Sequence, residues 1–261
     1  MKKLWGVITV LILALIACTL TPVSPTAAPI PSQTALPEPT EAISELVIVP
    51  RELVAEPVLD PLSFTTIDGR TLSWQDMGHG EPFVPAWSDD YSGIEVTLGE
   101  ETLVAAEHFD SGQAWVTVTR NGEEIYRIEA GMGSPIPALQ GFFVYDGAWV
   151  LETNFCAEDR PFQGNITMDG VLLNEQEGYQ IAFGAQTIAG RLFYFFQKDG
   201  VVDAWYDGQI IPLGYDDVPH YRCCSESVIN PYPFQEMVGF FGVRDGTWTF
   251  VQIGTPAALN P

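Results

Sequence analysis

Lysine is almost missing from this chain: beyond Lys2 and Lys3 at the start, Lys198 is the only one. Eleven basic residues face 34 acidic ones, giving a formal net charge of −23 over 261 residues. A surface of that sign repels phosphate backbones, which argues against nucleic acid as a partner. Histidine is equally scarce. His79, His108 and His220 are the only three, and no two of them have the spacing of metal ligands. The chain carries no HExxH helix motif, no GxSxG elbow, no SxxK pair, no phosphate-binding loop and no dinucleotide fingerprint. The adjacent carboxylates Asp89–Asp90 and Asp216–Asp217 lack the alternating ladder of a calcium loop, and they read as solvated turns. His220 stands near Cys223 and Cys224, yet adjacent cysteines outside the cytoplasm favour oxidation over nucleophilic work. No catalytic residue, metal or cofactor is therefore assigned, and the sequence leans away from an enzyme.

Long apolar runs are also missing, with one exception. Leu4 to Ala17 is apolar, follows Lys2 and Lys3, and ends at Cys18. It is shorter than the roughly 20 residues that a spanning helix needs and has the form of a secretory signal. Its last four residues, Leu15-Ile16-Ala17-Cys18, resemble the lipobox of bacterial lipoproteins, with Ile16 where a smaller residue is commoner. That resemblance implies cleavage after residue 17, acyl chains on Cys18, and a protein held outside the cytoplasm on the cell membrane or outer membrane. Multiple acyl chains anchor firmly, because each buried methylene contributes about 0.8 kcal/mol.

Residues 18–58 follow as a linker, dense in proline and threonine through residue 44 and poor in large apolar side chains, so the sequence predicts an unfolded spacer. Three cysteines remain beyond Cys18, namely Cys156, Cys223 and Cys224. In an oxidising compartment Cys156 is expected to pair with Cys223 or Cys224, leaving one thiol over.

Residues 59–256 are then predicted to form one all-β domain, with 257–261 as a tail. Sustained helical periodicity is absent, and 24 glycines and 20 prolines break the chain often. What it has instead is a repeated phrase. "GFFVYDGAWV" at 141–150 returns as "GFFGVRDGTWT" at 239–249, and looser copies occur at "RLFYFFQKDG" and "HFDSGQAWV". Each phrase places aromatic and β-branched residues on both faces of an extended strand, then a turn pair that tolerates positive φ, then a tryptophan on the return strand. The turn glycines Gly112, Gly147, Gly200 and Gly246 stand about 45 residues apart on average, near the roughly 40 to 50 of a four-stranded blade. The aromatic strands, Asp-Gly turns and tryptophans resemble the repeats of WD40-like and TolB-like β-propellers. The resemblance implies a small or incomplete antiparallel propeller of four or five blades; a β-sandwich or stacked β-meanders is the alternative.

Aromatic residues repeating at strand spacing belong mainly to the core. Trp74, Trp87, Tyr232 and Phe234 lie outside the repeated phrase, and they are the candidates for a binding rim on loops. The function expected is a membrane-anchored surface module binding an unknown protein or glycan. An extracytoplasmic hydrolase, for instance of polysaccharide, using an Asp/Glu pair is one alternative, and an accessory subunit of an envelope complex is another.

Overall fold

The computed structural model describes residues 45–59, 62–73, 76, 78–83, 93–133, 136–157, 163–221 and 230–259. The chain divides into Met1–Pro37 and Glu38–Pro261, and all described residues belong to the second unit. No helix among them is long and apolar enough to cross a membrane.

Among the described residues, nineteen strands form five antiparallel sheets. Sheet I is a three-stranded meander of β2 (Val58–Leu59), β3 (Leu62–Thr65) and β4 (Thr71–Ser73). Sheet II runs β5 (Ile94–Leu98), β6 (Glu101–Asp110), β7 (Gln113–Arg120) and β8 (Glu123–Met132). Sheet III runs β9 (Leu139–Tyr145), β10 (Ala148–Phe155), β11 (Gln163–Met168) and β12 (Val171–Leu172). Sheet IV runs β13 (Ile181–Ile188), β14 (Arg191–Lys198), β15 (Val201–Tyr206) and β16 (Gln209–Tyr215). Sheet V holds β17 (Tyr232–Pro233), β18 (Met237–Arg244) and β19 (Thr247–Gly254), and its fourth strand is β1 (Val47–Glu52), from the other end of the unit. Two short helices, α1 (Leu173–Glu177) and α2 (Pro256–Leu259), complete the described elements.

Alternation along single strands explains how the sheets stack. On β14, Phe193 and Phe195 pack with Val238, Phe240, Val251 and Ile253 of sheet V. Their neighbours Tyr194 and Phe196 pack the opposite way, with Val150 and Ile166 of sheet III. Sheet III then uses Phe142, Trp149 and Leu151 against Leu103, Val116 and Val118 of sheet II. Sheet V turns Phe241 and Phe250 onto Phe64 of sheet I. Sheets II, III, IV, V and I therefore follow one another face to face, and the middle ones are apolar on both sides, as the doubly hydrophobic strands require. This is an all-β succession of five antiparallel sheets packed face to face, one reduced to three strands, and not a two-layer sandwich.

The repeated phrase does form hairpins. Asp146 and Gly147 have φ of 46° and 75°, and Asp245 and Gly246 have 50° and 72°. These are the two successive positive values of a tight hairpin turn matched to strand twist. The two copies are, however, one strand out of phase. Asp146-Gly147 joins the first and second strands of sheet III, whereas Asp245-Gly246 joins the second and third of sheet V. Gly112 and Gly200 also lie between second and third strands. Hence the uneven spacing around Gly147.

β1 lies inside the stretch that the sequence assigns to the linker. It carries Pro50, is largely exposed, and is held by pairing from Val47↔Gly254 to Glu52↔Thr249. Arg51 also donates to Gln252. A strand at a sheet's edge, held by its backbone, shows no apolar alternation for a sequence reading to find.

Candidate functional site

The sequence candidates divide by place. Cys18, Trp74, Trp87, Cys223 and Cys224 lie outside the described residues. Cys156, half-buried, follows β10, where its N–H donates to the Ala130 carbonyl at 3.0 Å and its carbonyl accepts from Met132 N–H at 2.8 Å. Tyr232 and Phe234 are half-buried. Tyr232 packs against the Phe64, Phe241 and Phe250 cluster, and burial pushes its phenol up to about 12. The ring of Phe234 closes over Gly78 so tightly that no Cβ fits there. Alongside it Phe83 N–H donates to Pro233 O at 3.1 Å, and Gln235 N–H donates to Glu81 O at 3.0 Å. This pair thus fastens the segment around residues 78–83 to sheet V.

A more open aromatic surface lies on sheet II, built by cross-strand register. His108 stands directly opposite Trp115, Trp115 opposite Glu129, and Thr117 opposite Arg127. Directly opposed side chains touch. Accordingly His108 and Trp115 stack with ring centroids 5.5 Å apart and planes 17° from parallel. The Arg127 guanidinium lies over the indole, 4.6 Å from its centroid. Glu129 accepts from Arg127 Nε at 3.1 Å, and a 2.8 Å hydrogen bond joins His108 Nε2 and Thr117 Oγ1. His108 and Arg127 are exposed, while Thr117 is buried beneath. At the same end of the sheet Phe109 is 64% exposed and Met132 41% exposed. The arrangement presents the edge of an indole sandwiched between an imidazole from one neighbouring strand and a guanidinium from the other, with donors at its rim. Such a rim offers an apolar edge for contact, and the guanidinium supplies directed hydrogen bonds.

Among the described residues, the acid whose carboxyl is pushed furthest from its ordinary value lies elsewhere, between sheets III and IV. Glu152 on β10 is fully enclosed, and its two oxygens accept N–H bonds from Gly184 and Ala185, each at 2.7 Å. Burial pushes its carboxyl from the ordinary 4.5 up to about 7, against the opposing pull of those two bonds. The group is committed to the backbone of β13 and has no open side for a substrate. Its signal in the sequence is a lone acid in the apolar stretch Ala148-Trp149-Val150-Leu151-Glu152, indistinguishable by spacing from the other carboxylates. No group of three or more His, Cys, Asp or Glu among the described residues is placed to hold a metal.

No family model matches the chain, and no curated protein sequence matches it. Among solved structures it is similar to "Trypanosoma rangeli sialidase in complex with sialic acid", with a TM-score of 0.27, 10% identity, and coverage of 80% of this chain and 38% of that one. The same scores and coverage relate it to "Trypanosoma rangeli sialidase in complex with the inhibitor DANA". This chain spans well under half the length of those structures, and at that TM-score nothing about its site follows from them.

Proposed function

We propose that this protein is an extracytoplasmic binding module, held to its membrane by acyl chains on Cys18 and spaced from it by the proline-rich segment. Its ligand, a protein or glycan, docks on the sheet II surface around Trp115. The observation that carries this reading is the indole of Trp115 flanked by His108 and Arg127 on an otherwise acidic molecule. A fixed aromatic with adjacent donors is the usual energetic centre of a recognition surface. The placement of Glu152 supports binding over hydrolysis, since both oxygens of this most perturbed carboxyl are taken by main-chain donors.

Glycan and peptide arrays probed with the full-length detergent-solubilised protein test the reading. A ligand found there should quench tryptophan fluorescence, and Trp115→Ala should weaken binding by about thirtyfold, the loss of one central aromatic of about 2 kcal/mol. Turnover of polysaccharide substrates with no array ligand overturns it. Cys18→Ser tests the anchor separately: the protein should leave the membrane fraction and lose label from fatty-acid feeding.

A further inference from the structure

Glu152 is one of two polar side chains that β10 buries on the face toward sheet IV. The other is Asn154, two residues along β10. Glu152 stands opposite Ile166 and Asn154 opposite Gly164, so the two side chains share the face turned toward sheet IV. Gly164 lies so close to Ala182 O and Phe183 Cβ of β13 that an added Cβ would meet them at 2.5 and 2.8 Å. The space around the pair is therefore closed. Asn154 is buried, and its Oδ1 has no hydrogen-bond partner. An unsatisfied amide oxygen at that depth is destabilising and calls for a donor.

β13 is shaped to meet the pair. Its register with β14 shifts between Phe183 and Gln186, and the intervening residues turn their N–H groups to Glu152. Gly184 has φ of 66°, and Pro231 Cγ lies 2.9 Å from where its Cβ would be, so the bulge is held from behind. The preceding interface has a looser counterpart: Glu107 of β6 accepts from Ala138 N–H at 2.8 Å and from Leu139 N–H at 3.2 Å while only half-buried.

We propose that Glu152 and Asn154 form an internal proton-binding site that makes the cohesion of sheets III and IV respond to the pH of the medium. In the charged state Glu152 accepts both bulge N–H groups. A proton from solvent adds to one carboxylate oxygen, forming an O–H, and that oxygen becomes a donor for Asn154 Oδ1. The acceptor left unsatisfied in the charged state is then paired, and the buried charge is gone.

The nearest other carboxylates are Glu175 and Glu177 on α1, which packs against β11 and β13, and Glu177 acts on Tyr179 and Tyr194. Among the described residues β11 and β13 carry no ionisable side chain. Facing the interface are the phenols of Tyr194, Tyr179 and Tyr145, all pushed up by burial and so neutral. At its margin Tyr145 donates to Asp207, which pairs with Arg191, and Lys198 lies over Tyr179. His220 stacks on Phe183, a residue of the opposite face of β13.

The test is a titration of the Glu152 side-chain carbon by NMR in the full-length protein from pH 4.5 to 9, with Asn154→Leu in parallel. The midpoint for the unaltered protein should lie near neutrality, and loss of the acceptor should lower it by about one pH unit. Titration alongside solvent-exposed carboxylates, or a midpoint indifferent to Asn154→Leu, overturns the proposal. If Asn154→Leu does not fold, amide exchange decides it. Protection of Gly184 and Ala185 should change with pH, beyond intrinsic exchange chemistry, in the unaltered protein and not in Glu152→Gln. Equal pH dependence in both overturns it.

Discussion

Glu152 has main-chain donors but no ion pair among the described residues, and that asymmetry fixes a measurable pH dependence. Its carboxyl is held at about 7 in the folded chain against an ordinary 4.5. Between those values the folded protein keeps a proton that the unfolded chain has released. The folded state therefore binds more protons, and stability falls as pH rises through the window, by up to about 1.4 kcal/mol per pH unit. Glu152→Gln, permanently neutral, should flatten that slope. Urea unfolding at pH 5 and pH 8 checks it: the parent should lose about 1–3 kcal/mol between the two, whereas the variant, one acceptor short at Gly184 or Ala185, should start lower at pH 5 and stay level. The apolar residues around it obey simpler rules. Phe195 is fully buried between Phe183, Phe193 and Phe240, so Phe195→Ala should cost about 3–5 kcal/mol and lower the urea midpoint. These aromatic core residues were legible in the sequence, because a two-faced apolar strand has nowhere else to go. Glu152 was not, because its role depends on a bulge in β13, some 30 residues further along the chain.

Hairpins were the most legible elements, since their turns are written in two residues. Asp146-Gly147 and Asp245-Gly246 both adopt the paired positive φ that this dipeptide favours. Gly246→Ala meets no steric neighbour, so its cost should come from the backbone alone: about 1–2 kcal/mol, read as a lowered Tm with an unchanged fold by circular dichroism. What the dipeptides did not disclose is which strands they join. The same phrase bridges first and second strands in sheet III and second and third in sheet V, a difference that only the hydrogen-bonded order defines. The surface around Trp115 was hidden for the same reason. His108, Trp115 and Arg127 come from three strands, and their contact follows from register, not from any local spelling.

Across the folded unit, the two ends of the described chain meet in one sheet. β1 adds to β19, so the strand nearest the proposed tether completes the sheet that the last strand belongs to. Six residue pairs are joined along this edge, and Leu53 N–H extends the contact to Trp248 O at 2.9 Å. At about 0.5–1.5 kcal/mol net per backbone hydrogen bond, the edge is worth a few kcal/mol, a large share of the stability ordinary for a domain. It also ties the start of the described chain into the cooperative unit, so that force or proteolysis arriving through the proposed tether would meet a paired strand. Two truncations separate these effects. A chain beginning at residue 45 keeps β1 and should unfold in one transition at the parent's urea midpoint. A chain beginning at residue 54 leaves β19 as an open edge. It should unfold at a distinctly lower urea concentration, with β18 and β19 losing amide protection first. Equal midpoints for the two would show that β1 lies on the sheet without stabilising it.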